Sequence, residues 1–386
     1  MGWLQKGHFC RPEITPVEPD PDNAGAGIEQ FPTVVLILLK KGFRMKKRIV
    51  VIFIISIGMI AFFAGQAAAE GAQEETDLVI YTYDSFIAEW GPGPQVIPIF
   101  EEQTGYSVSI ISTGDAGQMV SRAVLEKENP QADILLGIDN NLLSKALENG
   151  ILEPYKPEGL DAVPENLHFD TTYHVIPYDY GYFSIIYDSE KISAPPASLE
   201  DLTKPEFEES IILMDPRTSS PGLGFLLWTV KIYGENFLEY WDRIEPSILT
   251  ITEGWDAGYG LFTSGEAPLV LSYTTSPAYH LEYENTERYR ATIFENGNYL
   301  QIEGAGITSG ARHRKAAEAF IDFMLTEDFQ SIIPLTNWMF PVRRGVSLPD
   351  SFRLAREPEE GLTHSHEEIA AHYETWIERW TKHVSR

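Results

Sequence analysis

The 386-residue chain holds a single cysteine, Cys10, and none after it. A body without thiols forms no disulfide, no thiolate metal site and no cysteine nucleophile. Basic residues are scarce as well. Residues 1–69 carry 8 Lys and Arg against 5 Asp and Glu, and the remainder carries 21 against 52, a net charge of −31. Such an acidic surface argues against nucleic acid or anionic membrane as a partner. It suits a cationic ligand, and equally it suits solubility in a saline exterior. No stretch after residue 70 approaches the roughly 20 apolar residues that span a bilayer. Internal repeats and low-complexity blocks are absent. So are the usual catalytic signatures: no G-x-S-x-G elbow, no H-E-x-x-H and no phosphate loop of the G-x-x-x-x-G-K type. His364 and His366 form an H-x-H, but no partner ligand stands beside them in that polar segment.

What is present begins with an export signal. Met45-Lys-Lys-Arg48 is a positive start, Ile49 to Phe63 is an almost unbroken apolar run, and Ala67-Ala68-Ala69 offers a cleavage site before Glu70. That order defines a secretory signal peptide over residues 45–69. A signal belongs at the start of a chain, so residues 1–44 are expected to be a mis-called extension, with Met45 the initiator. No cysteine stands at the cleavage point, and a periplasmic protein without a lipid anchor is expected. Its 317 or so residues exceed one ordinary core and point to two lobes.

Along that body, strands alternate with helices. Leu78–Tyr81, Val108–Ile111 and Ala132–Leu136 read as strands; Pro94–Thr104, Gln118–Glu128 and Leu142–Asn149 read as helices. The alternation describes an α/β fold with a mostly parallel sheet. Ligands collect beyond the carboxyl ends of such strands, where Tyr83 and Asp84, Asp115, and Asp139 fall. Tyr178–Tyr187 reads as a long strand passing between lobes. Asp215–Gly222 is a turn cluster before helix Leu223–Tyr233, and its serines serve as N-caps or as part of an anion site. Ala316–Leu325 is an amphipathic helix that buries Phe320, Phe323 and Met324.

The segment Leu271-Ser-Tyr-Thr-Thr-Ser-Pro-Ala-Tyr-His280 follows a short apolar strand and is too polar for a core. It is a turn with two half-buried tyrosines, or it is part of a cleft wall. Aromatic residues cluster in similar flanks: Trp90 before Gly91, Trp255 after Gly254, and Trp338 after Asn337, together with Tyr83, Tyr273 and Tyr279. Their electron-rich faces suit a flat organic cation, each contact contributing about 0.5–2 kcal/mol.

The blocks Leu78–Gly93, Asp139–Leu143, Pro177–Tyr182, Asp215–Gly224, Gly254-Trp255, Leu271–His280 and Asn337-Trp338 together resemble the periplasmic thiamine-binding proteins of ABC importers. The resemblance runs from about residue 77 to 386. It implies a two-lobed type II periplasmic solute-binding fold, closing over thiamine, thiamine monophosphate or thiamine pyrophosphate. By matching motif, it carries ligand contacts onto Tyr83, Trp90, Asp115, Ala116, Ser219, Ser220, Trp255, Tyr273, Thr274, Thr275, Ser276, Tyr279 and Trp338. Ala116 stands where the family usually has glycine. The resemblance further implies no catalysis and no cofactor, delivery of the ligand to a membrane permease and through it an ATPase, and a monomer.

The lobes are expected over residues 77–177 with 273–325, and 178–272 with 326–386, crossing at Tyr178–Tyr187 and near Ser272. Other cargoes stay open at this point. Ferric carriers of the superfamily use adjacent tyrosines, and this chain has no Tyr-Tyr dipeptide. Polyamine carriers share the use of aromatics and carboxylates. A secreted enzyme acting on thiamine-like compounds would need a nucleophile other than cysteine.

Overall fold

The computed structural model describes residues 77–359 and 361–385. The signal peptide, the expected extension and Cys10 lie outside the described residues. Strands β1 (Leu78–Thr82), β2 (Val108–Ser112) and β3 (Ile134–Asp139) alternate with helices α1 (Asp84–Ile87), α2 (Gly93–Thr104), α3 (Ala116–Leu125) and α4 (Leu143–Glu148). Two residues, Leu152–Glu153, form β4, and β5 then runs for thirteen, Ile176–Asp188. The second half continues through β6 (Ile211–Met214), α5 (Ser220–Tyr233), α6 (Phe237–Ile244), β7 (Ile248–Thr252), α7 (Trp255–Thr263), β8 (Leu269–Tyr273), α8 (Ser276–Glu284) and β9 (Tyr289–Ala291). The chain closes with β10 (Asn298–Thr308), α9 (Arg314–Met324), α10 (Glu327–Gln330), α11 (Ile333–Thr336), β11 (Phe340–Pro341), β12 (Gly361–Leu362) and α12 (His366–Val384).

The strand order is β2-β1-β3-β10-β5-β8-β6-β7, with β4 and β12 on β10 and with β9 and β11 on β5. Two parallel groups, β2-β1-β3 and β8-β6-β7, are joined by the long strands β10 and β5, which run antiparallel to each other. The fold is thus two-lobed with the lobes sharing one continuous ladder. β5 spans both groups: residues up to Tyr182 pair with β10, and residues from Phe183 pair with β8 and β9.

The second crossing is not at Ser272. β8 pairs with the distal half of β5 and with β6, and β9 stays on the same half of β5. The ladder returns to the first lobe only where β10 pairs with β3. The polar end of β8 starts a helix instead: Pro277 occupies the first turn of α8, where its missing N–H costs nothing. Residues 326–342 also move, since Phe329, Ile333, Met339 and Val342 pack into the core of Leu78, Ile80 and Phe100. We therefore propose lobes of residues 77–182 with 298–342, and 183–297. Helix α12 buries Trp376 and Trp380 in the larger core around Trp228 and Trp241.

Helix α9 buries Phe320, Phe323 and Met324, the face its amphipathic pattern predicts. Helix α5 lies so close to β5 that a Cβ on Gly224 falls 1.9 Å from Cε2 of Phe183, a ring with no exposed surface. Gly224→Ala is expected to destabilise the fold by about 1–3 kcal/mol through overpacking. Thermal unfolding measures this, and an unchanged midpoint would contradict the packing described.

Candidate ligand cleft

The lobes enclose a cavity of about 760 Å³, within the roughly 300–1,000 Å³ typical of small-molecule sites. Of the residues the sequence nominates, Tyr83, Trp90, Asp115, Ser220, Trp255, Tyr273, Ser276, Tyr279 and Trp338 line it. The other four do not. Ala116 is buried as the first residue of α3, and Ser219 is buried as the N-cap of α5, its hydroxyl accepting from Gly222 N. Thr274 and Thr275 have no exposed surface, and neither hydroxyl has a hydrogen-bond partner.

Asp115 organises one wall. It is the N-cap of α3, in a capping box with Gln118. Its Oδ1 accepts from Ala116 N at 2.6 Å and from Ser220 N at 3.2 Å, and its Oδ2 accepts from Trp255 N at 3.2 Å. One carboxylate therefore receives amides from the first turns of α3, α5 and α7. Burial raises its pKa, against the lowering effect of the Ser220, Trp255 and Ala116 amides and the Ser219 hydroxyl. The anion at these helix starts is the protein's own side chain, where the sequence allowed for a ligand.

The aromatic wall is fixed by local bonds. Trp255 stacks on Tyr259 at 4.8 Å, and its Nε1 donates to Ser272 Oγ at 2.9 Å. Ser272 in turn meets Ser276 Oγ at 2.8 Å. Trp90 tilts against Trp255 at 6.4 Å and is partly exposed. Trp338 meets Tyr279 edge-on at 5.3 Å. Its backbone takes φ of +56°, which is strained for a bulky residue. That turn brings Asn337, Trp338 and Met339 all to the cavity. Tyr83 lies over Gly137, where an added Cβ would sit 2.5 Å from the ring.

Asp84, placed at the cleft by its strand end, lines the cavity, and so do Glu253, Asp256, Tyr259, Glu303 and Asn337, which the sequence did not single out. Asp256 and Asn337 adjoin Trp255 and Trp338 in sequence, so a one-residue extension of those positions reaches them. Glu303 sits inside β10, and only the strand pairing reveals it. Asp139, grouped with the cleft by its strand end, is fully buried and accepts from Leu142 N and Gln301 Nε2. The two histidines of the H-x-H diverge: His364 Nε2 meets Leu227 O at 3.0 Å, and His366 Nδ1 meets Ser144 Oγ at 3.1 Å. Among the described residues, no group of three or more His, Cys, Asp or Glu is arranged to hold a metal.

The electrostatics are one-sided. Asp84, Asp115, Glu253, Asp256 and Glu303 line the cavity, and no Lys, Arg or His does so among the described residues. Burial, then the charges of Asp84 and Asp115, push Asp256 up to about 6. Burial pushes Glu303 up to about 7, although Tyr178 and Tyr83 donate to it. Asp179 is also held well above the usual carboxylate range, by burial and then by Glu303.

A bacterial extracellular solute-binding family model matches residues 129–358, and the two-lobed fold with its cleft agrees with that class. The thiamine-binding periplasmic protein of Brucella abortus is 42% identical over 338 residues, 86% of this chain and 99% of the relative. The Escherichia coli protein of the same name is 41% identical over 313 residues, 80% and 94% of the two chains. A solved periplasmic thiamin binding protein superposes with a TM-score of 0.76 at 41% identity, covering 80% of this chain and 96% of that one. The chain belongs to this family of periplasmic binding proteins. The apo ferric-ion-binding protein of Pasteurella haemolytica, at 19% identity and a TM-score of 0.67, covers 79% of this chain and 98% of its own and shares the fold. No described helix is long and apolar enough to cross a membrane.

The raised pKa of Glu303 predicts a pH dependence. Its folded value lies above the ordinary 4.5, so its contribution to stability is full below about pH 4.5 and is lost as pH rises through about 7. Thermal melts of the ligand-free protein from pH 4.5 to 8 are expected to show a falling midpoint, with a shallower fall in Glu303→Gln. Parallel curves would contradict the assignment.

Proposed function

We propose that this protein binds thiamine, and with it thiamine monophosphate or pyrophosphate, in the interlobe cavity and passes it unaltered to a membrane permease driven by its ATPase. Thiamine is the cargo here, and the reading invokes no resident cofactor and no chemistry on the ligand. The observation that carries it is an aromatic cavity with five carboxylates and no basic side chain among its described lining residues, in a chain over 40% identical to proteins named as thiamine-binding. A permanently cationic thiazolium fits that field. Tyrosine and tryptophan faces can stack on both rings of the ligand, adding about 0.5–2 kcal/mol per cation–π contact. Nanomolar affinity needs about −12 kcal/mol, so burial between the lobes must supply much of the rest.

The ligand contacts we propose are Tyr83, Trp90, Asp115, Ser220, Trp255, Tyr273, Ser276, Tyr279 and Trp338. Asp115 acts chiefly as a positioning residue, since its oxygens already accept three amides. The protein is expected to work as a periplasmic monomer.

Calorimetry with thiamine, thiamine monophosphate and thiamine pyrophosphate tests the function, and no heat from any of the three rejects it. Recovery of intact ligand after incubation separates a carrier from an enzyme, and displacement of thiamine by spermidine would favour a polyamine carrier. Trp255→Ala is expected to weaken thiamine binding tenfold or more, about 1.4 kcal/mol. Unchanged affinity would remove Trp255 from the site.

A further inference from the structure

Another part of the cavity wall is built on an acid pair that no cation neutralises. Glu303 of β10 and Asp179 of β5 are direct partners in the antiparallel ladder, so the two carboxyl groups are held side by side by the backbone. No salt bridge reaches either one among the described residues. Glu303 Oε2 accepts from Tyr178 OH at 2.6 Å and from Tyr83 OH at 2.9 Å. Both donors go to Oε2, no described side chain or amide donates to Oε1, and Glu303 is among the residues that line the cavity. Behind it, Asp179 Oδ2 accepts from Asn337 Nδ2 at 2.6 Å, and Asp179 Oδ1 is buried with no partner.

Burial and the neighbouring acid favour the neutral form of each group, so a donor supplied by a ligand stabilises the ionised form of Glu303. Asp179 Oδ1 is buried without a donor behind the wall, whereas Glu303 lines the cavity, where its Oε1 can accept from a ligand. Asn337 donates to Asp179, and Tyr83 and Tyr178 are engaged with Glu303. The wall is rigid: β5 and β10 are the shared strands of the whole sheet, and Tyr83 is wedged on Gly137.

We propose that Glu303, supported by Asp179, Tyr83, Tyr178 and Asn337, is a specificity-determining ligand contact that accepts a hydrogen bond from an exocyclic amino group on a heteroaromatic ring. The inference rests on the thiamine reading above, in which the aminopyrimidine supplies that amino group. Ring stacking tolerates many flat cations, whereas the Glu303 carboxylate, ionised above about pH 7, only accepts and so rejects a ligand that presents another acceptor. A site built to bond an N–H discriminates against analogues lacking it far more strongly than an apolar pocket does.

The test compares thiamine with oxythiamine, whose exocyclic amino group is replaced by oxygen, and with pyrithiamine, which keeps the aminopyrimidine and alters the other ring. Dissociation constants are measured by calorimetry on the wild-type protein and on Glu303→Gln, with folding checked by thermal melt. Wild-type protein is expected to bind oxythiamine at least 100-fold more weakly than thiamine and pyrithiamine within about tenfold. Glu303→Gln, whose amide can offer either oxygen or N–H, is expected to reduce the oxythiamine penalty to below about tenfold. Wild-type binding of oxythiamine within threefold of thiamine overturns the proposal, as does a folded Glu303→Gln that keeps the full penalty. Should the variant not fold, the wild-type ratio alone decides. If wild-type protein binds none of the three, the thiamine reading itself fails, a different outcome from loss of discrimination.

Discussion

The cleft depends on one half-buried carboxylate. Asp115 accepts amides from the first turns of α3, α5 and α7, which come from both lobes. Such an anion normally requires a cation. Here the unpaired amides and partial positive charge of three helix starts take that place. An arginine would also have held these elements together, but it would have cancelled the negative potential of the cavity. Closing the lobes with helix ends keeps the wall anionic and still satisfies Asp115.

That choice shapes the recognition surface. With five carboxylates and no basic side chain among its described lining residues, the cavity draws in a cation before any contact forms. The aromatic groups then supply area and orientation. Trp255 is held by Tyr259 and Ser272, and Trp338 is held by a strained turn. These rings are preorganised, so little conformational entropy is lost on binding. The acid pair on β5 and β10 adds what stacking cannot, a directional acceptor.

Several parts of this architecture are legible in residue order alone. Short apolar runs bounded by polar residues mark β1 and β2, and the long aromatic and apolar run of Tyr178–Tyr187 marks β5. The apolar face of α9 follows from the spacing of Phe320, Phe323 and Met324. Flanking Gly or Asn marks Trp90, Trp255 and Trp338 as wall rather than core, although Trp255 opens a helix and Tyr279 lies within one. The run Ser272–Ser276 shows the limit. Its hydroxyls look alike in sequence, yet Ser276 reaches the cavity while Thr274 and Thr275 are sealed inside, because a strand end and a helix start turn successive side chains in different directions.

The sequence by itself determined the alternation of strands and helices, the absence of thiol chemistry, the acid excess and the set of aromatics available to a cation. Each of these is a local or compositional property, readable without knowing what packs against what. Tertiary structure alone decided where the lobes exchange strands, that Asp115 is shared by three helices, and that Glu303 stands beside Asp179. Those facts join residues more than a hundred positions apart, and only the register of β5 against β10 and the convergence of helix ends bring them together.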